Sequence, residues 1–191
     1  MAKLLLLRHL QSQWNKENRF TGWTDIPLSE EGIESAKEVA GKLAGFQIDK
    51  VYTSPLVRNM ETVSLVLENL GKKDLPIVVD KALDERNYGR LQGLNKNDVK
   101  RQYGEEQVRL WRRGWNDAPP EGESLKDVYN RVVLFYEEHI EKDLKAGKNV
   151  LVVASHNSLR ALVKHIENIP EEQIINLEIP TGSLKEYDIE N

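Results

Sequence analysis

Four short, largely apolar runs, at residues 4–7, 50–53, 76–79 and 149–154, alternate along the chain with stretches of helical periodicity. Runs this short, bounded by polar residues, read as strands buried on both faces rather than as helices. Ser29 caps a predicted helix with apolar positions Ile33, Ala36, Val39, Ala40 and Leu43. A second starts at residues 54–56, with Pro55 in the tolerated first turn. Further helices are expected over 99–115, 124–144 and 158–168, and a last strand over 184–189. Strands alternating with helices imply a three-layer α/β/α sandwich with a mostly parallel central sheet. No linker, repeat or low-complexity tract interrupts the pattern, so residues 1–191 are expected to form one domain.

Charge narrows the function. The formal net charge of −4 excludes a broad polyanion-binding surface, so neither nucleic acid nor an anionic membrane is an expected partner. Positive potential must then be local, which suits a small anion. The absence of cysteine excludes disulfides and thiolate metal sites, and fits a reducing compartment. The run at 4–7 is too short for a signal peptide's apolar segment or a membrane span. A cytoplasmic protein is the expectation.

Ligands of open α/β sheets bind beyond the carboxyl ends of the strands. The residues there are Arg8, His9, Gln11, Ser12 and Asn15; Thr53, Ser54 and Arg58; Asp84, Glu85 and Arg86; and Ser155, His156 and Asn157. An arginine fork matches phosphate oxygens in pairs, an imidazole can attack phosphorus, and a carboxylate can carry a hydroxyl proton. Each residue alone has a plainer reading: a capping histidine, a surface arginine, a Glu85 paired with Arg86 or Arg90. Several clusters of matching chemistry on one rim outweigh those readings. Two histidines and a carboxylate could also hold a metal, but neighbouring arginines repel a cation. Phosphate is the better match, and no metal is expected.

These residues sit in segments that resemble a known family. Arg8-His9 with Gln11-Ser12-Gln13-Trp14-Asn15 resembles the opening motif of the histidine phosphatase superfamily. The segments 18–25, 53–58, 83–89, 91–96, 111–113, 119–125, 157–164 and 179–182 are similar, in order, to its phosphoglycerate mutase branch. The resemblance implies that His9 is a phosphohistidine nucleophile, with Arg8, Arg58 and Asn15 lining the phosphate pocket. It further implies that Ser12, Thr21 and Gly22 assist, and that Glu85 is the general acid/base. Tyr88, Lys96, Arg112 and Arg113 would grip the carboxylate and distal phosphate, with Asn157 also at the substrate. The implied reaction interconverts 3- and 2-phosphoglycerate, primed by 2,3-bisphosphoglycerate, in a monomer or small homo-oligomer. Its small-molecule partners would be phosphorylated three-carbon acids. A phosphatase of small phosphorylated metabolites and a catalytically impaired, ligand-binding relative are the alternatives.

Two departures touch the site. Leu10 replaces the family's glycine after the first histidine, which predicts a narrowed pocket and, at positive φ, strain. The family's second histidine aligns with Ser155, and His156 follows it. A one-residue slip in extended chain turns a side chain to the opposite face. His156 is nonetheless the preferred second histidine, because no other nearby residue can do its work. The chain also carries little of the tail that longer mutases fold over the site, which predicts either more hydrolytic leakage or a monomer.

Overall fold

The computed structural model describes residues 1–190. Its elements are β1 (Ala2–Arg8), α1 (Gln13–Lys16), α2 (Glu30–Glu34), α3 (Ala36–Leu43), β2 (Lys50–Thr53), α4 (Val57–Leu70) and β3 (Ile77–Val79). They continue with α5 (Lys96–Tyr103), α6 (Glu105–Arg113), α7 (Leu125–Phe135), α8 (Glu141–Lys145), β4 (Val150–Ala154), α9 (His156–Glu167) and β5 (Leu184–Ile189). The strands form one sheet in the order β3-β2-β4-β1-β5. The first four run parallel and β5 pairs antiparallel with β1.

Alternate residues of β1 and β4 feed opposite cores, which is why residues 4–7 and 150–154 are apolar throughout. Leu4, Leu6, Val150 and Val152 pack with Val128 and Val132 of α7 and Leu159 and Leu162 of α9. Leu5, Leu7, Leu151 and Val153 pack with Val39 and Leu43 of α3 and Val63 and Val66 of α4. A third cluster, Phe20, Tyr88, Leu91, Val99, Val108 and Trp111, supports α5, α6 and the loops above the strand ends. No helix among the described residues is long and apolar enough to cross a membrane.

The helices depart from expectation at their breaks. The stretch after Ser29 splits at Ser35, whose hydroxyl donates to the Gly32 carbonyl at 2.7 Å, and Ile33 is exposed although it fits the apolar repeat. The helix expected over 99–115 is two, α5 and α6. They are divided by Gly104 at φ +88°, ψ 151°, a region essentially reserved for glycine. Beyond that turn, α6 carries Arg112 and Arg113 at its carboxyl end. The helix after Ser124 passes from α7 to α8 through a π turn at Tyr136–Ile140. The last helix starts at His156, two residues earlier than its sequence pattern indicates, and Ser155 caps it.

Candidate functional site

A cleft opens over the carboxyl ends of β1, β2 and β4. Six cationic side chains line it: Arg8, Arg19, Arg58, Lys96, Arg112 and Arg113. They are joined by His9, His156, Asn15, Phe20, Thr21, Gly22 and Tyr88, and by two carboxylates, Glu85 and Glu178. In a chain of net charge −4 this is a concentrated positive field.

His9 leaves β1 with its amide bonded to the Ala154 carbonyl at 3.0 Å, so the first and fourth strands jointly place it. Its Nδ1 lies 2.6 Å from the Leu10 carbonyl. A carbonyl only accepts, so Nδ1 carries the proton and Nε2 keeps its lone pair. Burial, then Arg58 and Arg8, hold the imidazole pKa well below its ordinary value. The ring is therefore neutral, the form a nucleophile requires.

Leu10 does not have the expected effect. Its φ is not positive, and its side chain packs into the core with Val39 and Leu7 rather than lining the cleft. Only its backbone serves the site: the carbonyl holds His9, and the amide donates to Thr62 Oγ1 at 3.1 Å. Thr62 Oγ1 in turn donates to the Arg58 carbonyl at 2.7 Å, coupling the His9 loop to α4.

Arg58 is buried and donates to the Gly22 carbonyl at 2.7 Å and the Thr24 carbonyl at 3.1 Å. Gly22 sits at φ +56°, and a Cβ there would fall 2.1 Å from Gln92 Oε1. Arg8 donates through Nη1 to the Ile179 carbonyl at 2.6 Å, while its buried Nε has no partner among the described residues. Thr21 Oγ1 is likewise buried and unpartnered. Unsatisfied buried polar atoms are costly, and these two fit phosphate oxygens as their complement.

Glu85 is fixed from both sides. Its Oε1 accepts from the amides of Arg86 at 2.7 Å and Asn157 at 3.1 Å. Its backbone carbonyl accepts from Trp23 Nε1 at 2.7 Å and Arg131 Nη2 at 2.9 Å. Two fully buried arginines, Arg86 and Arg160, hold the carboxyl end of α6. Arg86 donates to the Trp111 carbonyl, and Arg160 to the Arg113 carbonyl at 2.9 Å. Lys96 crosses above Phe20 at 5.9 Å. Burial, then Arg112 and Arg8, lower its pKa to about 8.

The structure puts His156, not Ser155, in the cleft. The strand ends at Ala154 and His156 is the first residue of α9, so the one-residue offset is a turn about a helix axis rather than a flip of face. His156 Nε2 accepts from Arg113 Nη1 at 3.3 Å. Burial and the arginines Arg8, Arg160, Arg113 and Arg112 push its pKa well down. Ser155 is fully buried; its hydroxyl receives Asn59 Nδ2 at 3.3 Å and its amide bonds Ser158 Oγ.

Two expected site residues lie outside the lining. Ser12 caps α1 in a reciprocal box with Asn15. Asn157 lies one layer behind, donating to the Tyr88 hydroxyl at 3.1 Å and accepting from Arg160 at 2.9 Å. Its position supports Glu85 and Tyr88 rather than facing the cleft. Conversely, Arg19, Phe20 and Glu178 line the cleft without having been singled out. Their signal was adjacency: Arg19 and Phe20 precede Thr21, and Glu178 precedes the 179–182 segment.

A model of the histidine phosphatase superfamily, branch 1, matches residues 4–191. A 2,3-bisphosphoglycerate-dependent phosphoglycerate mutase of Parvibaculum lavamentivorans is 46% identical over 190 residues, covering 98% of this chain and 90% of its own. A protein of the same name from Chlamydia pneumoniae is 42% identical over 217 aligned positions, covering 100% and 95%. Among solved structures, a mycobacterial glucosyl-3-phosphoglycerate phosphatase superposes with a TM-score of 0.82 at 27% identity, covering 97% of this chain and 89% of that one.

Proposed function

The chain belongs to the histidine phosphatase superfamily, and from that premise we propose that it is a phosphoglycerate mutase. It interconverts 3-phosphoglycerate and 2-phosphoglycerate through a phosphohistidine at His9, within one domain spanning residues 1–191. The observation that carries the reading is the second cationic cluster: Lys96, Arg112 and Arg113 share one cleft with Arg8, His9 and Arg58. A phosphatase needs to hold one phosphate, whereas a mutase holds a molecule anionic at both ends. The donors fit such a bisphosphate, since Arg8 Nε and Thr21 Oγ1 await acceptors among buried groups. Bound 2,3-bisphosphoglycerate would supply the phosphoryl group that primes His9.

In this reading His9 Nε2 forms an N–P bond as a P–O bond breaks. Arg8 and Arg58 neutralise the charge spread over the equatorial oxygens. Glu85 returns a proton to the oxygen released and takes one from the hydroxyl that next accepts the phosphoryl group. Arg112, Arg113 and Lys96 hold the carboxylate and distal phosphate, and His156, which accepts from Arg113, lines the same cleft. The Leu10 carbonyl keeps the His9 proton on Nδ1, so Nε2 stays available in every cycle.

The test is a coupled assay for 3-phosphoglycerate conversion, with and without 2,3-bisphosphoglycerate and with chelator throughout. Bisphosphate-dependent turnover, with an added phosphate mass on the intact protein that His9→Ala abolishes, is the expected result. Release of inorganic phosphate as the main product would instead establish a phosphatase, the activity in the name of the mycobacterial neighbour. No reaction in folded protein would sink both.

A further inference from the structure

Glu178 has the wrong charge for the wall of an anion site. Of the two carboxylates lining the cleft, Glu85 is buried and bound by two backbone amides. Glu178 has none of that support and its side chain is 54% exposed. Its Oε2 pairs with Arg113, and its Oε1 lies 3.5 Å from His156 Nε2. Arg113 thus divides its guanidinium between Glu178 and His156, which it reaches at 3.3 Å.

Arg113 does not depend on Glu178 for its place. The carboxyl end of α6 is already held by Arg86 on the Trp111 and Gly114 carbonyls, and by Arg160 on the Arg112 and Arg113 carbonyls. A half-exposed ion pair contributes little and exchanges readily. A guanidinium fork accepts any carboxylate of suitable approach. The carboxylate of a three-carbon acid is chemically the same group as that of Glu178.

We propose that Glu178 is a specificity-determining residue of the distal subsite, whose carboxylate competes with the substrate's own carboxylate for Arg113. It sets how strongly the cleft prefers phosphorylated acids over phosphate esters with a neutral far end. The inference rests on the mutase reading, in which Arg113 grips that carboxylate. Competition of this kind weakens ground-state and transition-state binding alike, so it acts on KM and leaves kcat unchanged.

The experiment compares wild type with Glu178→Gln, which is nearly isosteric at an exposed position and leaves folding intact. Two probes are titrated by calorimetry: 3-phosphoglycerate, and glycerol 3-phosphate, which lacks the carboxylate. The same proteins are assayed for mutase KM and kcat. The expected result is a Kd and KM for 3-phosphoglycerate lowered by about two- to fivefold, the worth of one half-exposed pair. The Kd for glycerol 3-phosphate and kcat stay put. Weaker 3-phosphoglycerate binding in the variant would make Glu178 a support of Arg113 and overturn the proposal. Equal tightening of both probes would reduce it to a general charge effect, and no change in either would also refute it. A wild type that neither turns over 3-phosphoglycerate nor prefers it to glycerol 3-phosphate would fail the mutase reading itself, and the inference with it.

Discussion

Leu10→Ala separates the two jobs that one residue performs. The Leu10 side chain is 1% exposed and packs among Leu7, Val39 and the rest of that core face, with Cδ2 close to Gly182. Its carbonyl, which alanine retains, holds Nδ1 of His9. Truncating a buried leucine costs about 2–5 kcal/mol, most where backbone walls prevent collapse. Backbone at Gly182 lies against this side chain, so we expect about 3 kcal/mol. For a chain of this size that corresponds to a Tm lower by roughly 6–12 °C. Phosphohistidine yield and kcat, measured well below the new Tm, stay at wild-type values. The assays are urea unfolding, thermal scanning and intact mass after exposure to 2,3-bisphosphoglycerate. A loss of less than about 1 kcal/mol would refute the core assignment. Normal stability with lost phosphorylation would show that the side chain, not the carbonyl, serves His9.

Two further predictions follow from the charged groups. Lys96, with a pKa near 8, loses its charge as pH rises, so KM for 3-phosphoglycerate climbs above that pH. The rise reaches up to about tenfold at pH 9 if the neutral amine contributes nothing, and Lys96→Met flattens the profile. A KM in wild type that stays level from pH 7 to 9.5 would remove Lys96 from the binding set. Away from the site, burial works to raise the Asp143 pKa, but hydrogen bonds from Lys148, Lys50 and Tyr52 outweigh it and hold it low. A depressed carboxylate stabilises the fold above its unfolded pKa of about 3.9, and that stability is lost as pH falls. Asp143→Asn therefore costs about 1–2 kcal/mol at neutral pH, and in denaturant titrations the gap from wild type starts to narrow only below about pH 4 and closes only as pH falls through the depressed folded pKa.

Much of the architecture was legible because strand burial writes itself into composition. Runs that face two cores are apolar at most positions, and 50–53 and 149–154 are strands to within a residue of expectation. Helix breaks were less legible. Gly104 ends α5 through a backbone conformation, which periodicity on either side does not record. Ile33 fits a repeat that its helix, bent away at Ser35, does not bury.

The sequence by itself determined the element order, the parallel sheet, the family, and the strand ends where His9, Arg58, Glu85 and His156 gather. These follow from local patterns and from chemistry carried on the chain. Only the tertiary structure decided how each residue is used. It sent Leu10 inward while its carbonyl faces His9, and turned His156 into the cleft because the helix begins there. It placed Ser12 and Asn157 behind the lining and brought Glu178 onto Arg113, 65 positions away in sequence. The physical reason is that a side chain's direction depends on the dihedral at one residue and on neighbours far along the chain. Neither leaves a periodic trace.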